Sequence, residues 1–258
     1  MRRALVWLPL VLVLAGCASS ARPADRPAAH PTVTGQRATA APPRRCSAGL
    51  VRAGRPNVAV AAIVRSRAAA YRAPGRRPFA RFGPLNVNGF PTVFRVLAVV
   101  RGRDCTARWY RVQLPIKPNG VTGYVRASAV GTGPVRSRVV VDVSAKRLTL
   151  YRRGRAVLRA PVAVGSSATP TPLGRYYVNQ RLIPPDPGGP YGPAAIGISA
   201  FSNVLTGWAQ GGPIAIHGTN EPWSIGHAVS NGCIRVHNDV LRRLLKVTPA
   251  GTPVVIRS

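Results

Sequence analysis

Apolar positions in this 258-residue chain fall into short alternating runs cut by Gly, Pro and Asn, and only one stretch keeps helical spacing. Between Cys46 and about Gly133, Val58-Ala59-Val60, Phe94 to Val100, Trp109 to Leu114 and Val121 to Val125 predict strands, the last after a Pro118-Asn119-Gly120 turn. Several short strands in so few residues suit a small barrel. Gly131-Thr132-Gly133-Pro134 reads as a boundary. Beyond it, Val139 to Val143, Arg147 to Tyr151, a turn at Arg152 to Arg155, and Ala156 to Val164 predict a hairpin followed by a longer strand. Arg175 to Gln180 predicts another. The Pro/Gly-rich stretch from Pro184 to Pro193 is long for a plain connection, and reads either as a functional lid or as a passive surface loop. The helix is Asn238 to Lys246, where Val240, Leu241, Leu244 and Leu245 share a face, Asn238 occupies the N-cap, and Asp239 and Lys246 suit the two ends. The fold class read from the pattern is mainly β with one or two short helices.

The N-terminus departs from this pattern. Met1-Arg2-Arg3, an apolar run from Ala4 to Ala15, and Gly16-Cys17 predict a secretory signal. The run falls short of the about twenty apolar residues that a spanning helix needs. Ala18 to Arg45, rich in Pro, Ala, Ser, Thr and Arg, has no periodicity with which to bury a core, and is expected to be a disordered tether.

Charge adds one constraint. Lys and Arg number 37 against 6 Asp and Glu, a net charge of +31, and only Lys117, Lys146 and Lys246 are lysines. Such a balance attracts anionic partners such as membrane headgroups or wall phosphates. The arginines are scattered, without a cluster interleaved with stacking aromatics, so nucleic acid is not expected as a partner. A compositional bias of the kind a GC-rich genome produces, with general attraction to an acidic envelope, accounts for the charge.

The chemistry concentrates in Ile214 to His237. His217 closes the run Ile214-Ala215-Ile216 and is followed by Gly218; Cys233 sits in Ser230-Asn231-Gly232-Cys233-Ile234-Arg235. A free thiol ionises near pH 8.5, about, and needs a base to act as a nucleophile at neutral pH. A histidine distant in sequence and adjacent in the fold supplies it. Small residues around Cys233 leave room for a carbonyl and free backbone N–H groups for an oxyanion, with Gly232 and Cys233 as the candidates. Arg235 is a candidate for a substrate carboxylate or for an ion pair with Asp239 or another carboxylate. His227 and His237, with His217 and Cys233, lack zinc-type spacing; His30 and a lone Glu221 carry little signal. There is no P-loop, dinucleotide fingerprint or serine-hydrolase elbow, so no organic cofactor is implied. Cys46 and Cys105 are the even remainder of an exported chain, either a disulfide or two unpaired thiols.

His217-Gly218 followed by Ser230 to Arg235 resembles the active-site signature of the YkuD-type L,D-transpeptidases, which cross-link bacterial peptidoglycan. The resemblance runs from near Val139 to the C-terminus and takes in Thr169-Pro170-Thr171-Pro172-Leu173-Gly174 and Gly251-Thr252-Pro253-Val254. One departure is Asn231, where the family usually has histidine before the Gly-Cys pair. The resemblance implies a β-sandwich catalytic domain over residues 136–258, Cys233 as nucleophile, His217 as base, and the Gly218 carbonyl as the third member. It implies a thioester on Cys233 and transfer to an amine of a neighbouring stem peptide, with Ser230 and Asn231 near the substrate and Tyr191 as a lid contact for the donor. Leu14-Ala15-Gly16-Cys17 resembles a lipobox, which implies a lipid anchor on Cys17 at the end of a signal spanning 1–17 and an enzyme held outside the membrane, the alternative being an ordinary cleaved signal with an incidental cysteine; the tether covers 18–45, and the chain is expected to be a monomer. Trp109 to Val112 with Gly123-Tyr124-Val125-Arg126 resembles bacterial SH3-like domains, which implies such a barrel over 46–133. Alternatives within reach of the same residues are an L,D-carboxypeptidase or protein-attaching relative, and a non-catalytic wall-binding lipoprotein.

Overall fold

The computed structural model describes residues 46–258; the expected signal, the candidate lipobox cysteine Cys17 and the expected tether with His30 lie outside them. These described residues form one compact unit built on two eight-stranded sheets. The first sheet takes β1 (Gly49–Arg52), β2 (Ala59–Val64), β3 (Ala68–Tyr71), β4 (Pro78–Phe82), β5 (Val93–Arg101), β6 (Ala107–Gln113), β7 (Thr122–Arg126) and β8 (Val130–Val135). Its order is β4-β3-β7-β6-β5-β2-β8, with β1 also pairing with the long β5. Alternation in β5 sends Phe94 and Val96 into a core shared with Ala62, Val112, Leu114 and Val125. The strands with strong alternation were visible in the sequence. The alanine-rich β3 and the arginine-interrupted β4 were not, because their burial is conferred by neighbours rather than by their own hydrophobicity. Gly131 to Pro134, expected as a break, lies inside β8, an edge strand on which a proline is tolerated.

The second sheet takes β9 (Ser137–Asp142), β10 (Arg147–Arg152), β11 (Arg155–Pro161), β13 (Gly174–Leu182), β14 (Ala195–Phe201), β15 (Pro213–His217), β17 (Ile234–Arg235) and β18 (Pro253–Arg257), while β12 (Val164–Gly165) and β16 (Ala228–Ser230) pair separately. The order is β11-β10-β9-β18-β13-β14-β15-β17, with β18 parallel to β9 and β17 parallel to β15. The expected hairpin is β10–β11; the longer strand after it stops at Pro161, and Val164–Gly165 joins β16 instead. The single α-helix among the described residues, α1 (Asn238–Val247), packs Leu241 and Leu244 into the core of this sheet. Its N-cap is His237 rather than Asn238, whose side chain turns away from its own helix to a different task.

Polar ties join the two sheets where a hydrophobic seam alone would leave their relative position loose. Tyr177 Oη donates to Val93 O at 3.1 Å and Gln113 Nε2 to Arg175 O at 2.7 Å. Asn119 brackets Phe201, donating to its carbonyl at 2.8 Å and accepting its N–H at 2.9 Å. Gly251 lies so close to β2 that a Cβ there would stand 2.3 Å from the Ala61 Cβ. Cys46 and Cys105 are joined in a disulfide, with their Cα atoms 5.7 Å apart.

Candidate active site

Parallel pairing of β15 with β17 creates the site. Ile216 stands opposite Ile234 and His217 opposite Arg235. Side chains alternate along a strand, so Ile214, Ile216 and Ile234 go into the core, where each is at most 2% exposed. Ala215, His217, Cys233 and Arg235 are therefore left on the other face. Cys233 lies one step before Ile234 and takes a backbone hydrogen bond from Ala215. It is thus the diagonal neighbour of His217 across the parallel pair.

The turn that presents the thiol is fixed from below. Gly232 has φ +104°, and a Cβ on it would press on Ile214, so only glycine enters this turn without strain. Ser230 Oγ accepts the Gly232 N–H at 3.2 Å and donates to the Cys233 carbonyl at 2.6 Å. Thr169 Oγ1 donates to Ser230 O at 3.0 Å, and Thr171 Oγ1 donates to Gly232 O at 3.0 Å while accepting the Gly165 N–H at 2.8 Å. Thr169 and Thr171 were visible only as members of a motif; their task is to satisfy carbonyls of the Cys233 turn. Past the turn, Val236 N–H donates to His217 O at 2.9 Å, and Arg235 exchanges both backbone bonds with Ala163.

His217 is 4% exposed. Its Nδ1 lies 2.6 Å from the Gly218 carbonyl. A carbonyl only accepts, so Nδ1 carries the proton and Nε2 keeps its lone pair. Burial, reinforced by the positive Arg235 and only partly offset by the Gly218 bond, lowers the imidazole from its ordinary 6.5 to about 4. Burial likewise raises the Cys233 thiol, while the Ala215 hydrogen bond and Arg235 pull it back. Both groups are consequently neutral at pH 7, an un-ionised thiol and an imidazole whose Nε2 is free of a proton.

The remaining expected residues occupy distinct positions. Arg235 pairs with Glu221 rather than Asp239, and its Nε is buried without a hydrogen-bond partner. Tyr191 is 50% exposed and sets its ring edge-on to His217, with centroids 5.0 Å apart. The loop that carries it is anchored at its far end, where a Cβ on Gly192 would stand 2.9 Å from Gly218 Cα. Asn238 Oδ1 accepts the Thr219 N–H at 2.9 Å, tying the start of α1 to the residues after His217. Asn231 is exposed at the tip of the turn and Ser230 is buried beneath it. With the Gly232 N–H bonded to Ser230, the Cys233 N–H is the oxyanion candidate of the pair. His227 is exposed, and His237 caps α1 through its backbone. Among the described residues, no three His, Cys, Asp or Glu side chains are grouped to hold a metal ion.

Residues 136–256 match the YkuD family model, the L,D-transpeptidase catalytic domain. The YkuD proteins of Bacillus licheniformis and Bacillus subtilis, both named for L,D-transpeptidase activity, are each 40% identical over 119 and 118 residues, 46% of this chain and 64% of theirs. This chain thus spans less than two thirds of the length of these relatives. An L,D-transpeptidase structure from Mycobacterium tuberculosis aligns over 55% of this chain and 74% of its own, at 20% identity and a TM-score of 0.40. The YkuD match takes in β9 to β18, and so includes His217, Cys233 and the threonines beneath the turn. No helix among the described residues is long and apolar enough to cross a membrane.

Proposed function

We propose that this protein is a cysteine-dependent L,D-transpeptidase that cross-links peptidoglycan stem peptides. The observation that carries the reading is that the parallel pairing of β15 with β17 brings His217, at the end of β15, alongside the turn that ends in Cys233 just before β17, with the imidazole tautomer fixed by Gly218. Nε2 of His217 takes the Cys233 proton as sulfur adds to the donor carbonyl. The oxyanion leans on the Cys233 N–H. Collapse expels the donor's leaving amine, which takes the proton back from the imidazolium and leaves a thioester. An acceptor amine adds to that thioester, His217 removes its proton, and the thiol is regenerated as the leaving group. Because the pair rests neutral, proton transfer accompanies attack instead of preceding it. Tyr191, exposed and against His217, is the contact we assign to the donor peptide, and Asn231 at the rim replaces the histidine usual in the family.

We place the enzyme outside the cytoplasmic membrane, held by a lipid on Cys17, with the first sheet as an SH3-like module that braces the catalytic sheet. Intact-mass analysis of the full chain with a carbapenem tests the nucleophile: one adduct is expected on the protein and none on Cys233→Ala. Disaccharide-tetrapeptides test the reaction, for which dimers are expected. Trimmed monomers alone would convert the reading to a carboxypeptidase, and absence of both adduct and dimer would reduce the chain to a wall-binding protein.

A further inference from the structure

A cleft of about 540 Å³ lies between the sheets, and none of its lining residues belongs to β15, β16 or β17. Six arginines line it, Arg52, Arg55, Arg95, Arg136, Arg138 and Arg175, with no Asp or Glu among them. The ion pairs among the described residues, Arg108–Asp104, Arg235–Glu221 and Arg257–Asp142, use none of the six. The charges are gathered by the fold itself. Arg95 stands opposite Gln113 across β5 and β6, and Gln113 Nε2 donates to the carbonyl of Arg175, so one contact between the sheets brings both guanidinium groups to the cleft. Burial, then repulsion from Arg175 and Arg52, lowers the Arg95 guanidinium from its ordinary value. Collected cations without a counter-charge destabilise the free protein, and a bound anion relieves that cost.

We propose that this cleft binds a chain of phosphodiester-linked units. Guanidinium forks match the oxygens of phosphate in bidentate pairs. One phosphate engages only a few such forks, and six distributed along a cleft suit several phosphates in series. Tyr151, over which Arg138 stacks at 4.6 Å, and Asn57 supply aromatic and amide contacts for the units between phosphates. Arg95 is part-buried in the cleft, where a flexible chain reaches it and a planar lipid surface does not. The reading is independent of the thiol chemistry, since binding needs no turnover.

Calorimetric titration of the full chain with short inorganic polyphosphate, in about 0.15 M salt, tests the site. Arg95→Gln/Arg175→Gln is expected to weaken binding by about tenfold or more, and Arg242→Gln/Arg243→Gln, on the exposed face of α1, by less than about twofold. The melting midpoint of the first variant is expected to hold or rise as repulsion is removed, with carbapenem acylation of Cys233 unchanged. Should that variant fail to fold, the exposed pair Arg136→Gln/Arg138→Gln replaces it, with a loss of about fivefold expected. Equal losses in the cleft and α1 variants would assign binding to the net charge and overturn the proposal. So would binding to phosphatidylglycerol vesicles without binding to polyphosphate, or binding of inorganic phosphate as tightly as the polymer.

Discussion

At the scale of the residue, the buried His217 gives the fold a pH dependence. Its folded pKa of about 4 lies below the unfolded 6.5, so as pH falls the unfolded chain takes up the proton first. The stability present above pH 6.5 is therefore lost progressively down to about pH 4, by about 3 kcal/mol. Urea midpoints of the wild type should drop across this window relative to His217→Gln, which lacks the titrating group; parallel curves would mean that the imidazole is not buried neutral. Cys233 shifts the other way. With the thiol raised by burial, iodoacetamide alkylation should stay slow at neutral pH and climb only above the range of an ordinary cysteine, about 8.5. A thiolate already formed at pH 6 would point instead to a standing ion pair with His217.

At the scale of the element, the Cys233 turn depends on the loop between β12 and β13. Thr171→Val removes the acceptor for Gly165 N–H and the donor to Gly232 O. Leaving two buried backbone groups unpaired should cost roughly 2–4 kcal/mol, and acylation by a carbapenem should slow in the fraction that remains folded. Gly165→Ala should be at least as harmful, since its Cβ would lie 2.2 Å from the Thr169 carbonyl, a backbone atom with little freedom to move. Asn238 separates two accounts of α1. As an N-cap its loss would fray the helix; as the acceptor for Thr219 N–H, Asn238→Ala should leave the far-UV helix signal intact and lower stability by about 1 kcal/mol, with slower acylation as the His217 loop loosens. The sequence placed Asn238 at a helix start correctly and its side chain incorrectly, because capping preference is local and the competing Thr219 N–H comes from another strand's end.

At the scale of the whole molecule, the two sheets are expected to unfold together. The Tyr177, Gln113 and Asn119 bonds, and the close approach of Gly251 to Ala61, cross between them. Trp109 lies in the first sheet, and Trp208 and Trp223 lie in connections of the second. Thermal unfolding followed by tryptophan fluorescence and by far-UV circular dichroism should therefore give one midpoint, and two separated transitions would show the sheets to be independent. Reducing the Cys46–Cys105 bridge, which closes a sequence separation of 59 residues, should lower stability by up to about 4 kcal/mol on the chain-entropy estimate.

The sequence by itself determined the elements whose pattern is self-contained. β5, β6, β7, β9 and β10 show their alternation, α1 shows its apolar face, and the motif around His217 and Cys233 marks the stretch that matches the YkuD family model. What neighbours confer was not legible. Burial of the alanine-rich β3, the Gly-Pro strand β8, the partner of Arg235 and the direction of the Asn238 side chain all depend on groups far away in the chain. The cleft shows this most plainly: its arginines read as scattered bias because they come from strands that meet only when the second sheet closes on the first. Spacing along a chain reports local periodicity, whereas charge density, burial and proton affinity are properties of what folding brings together.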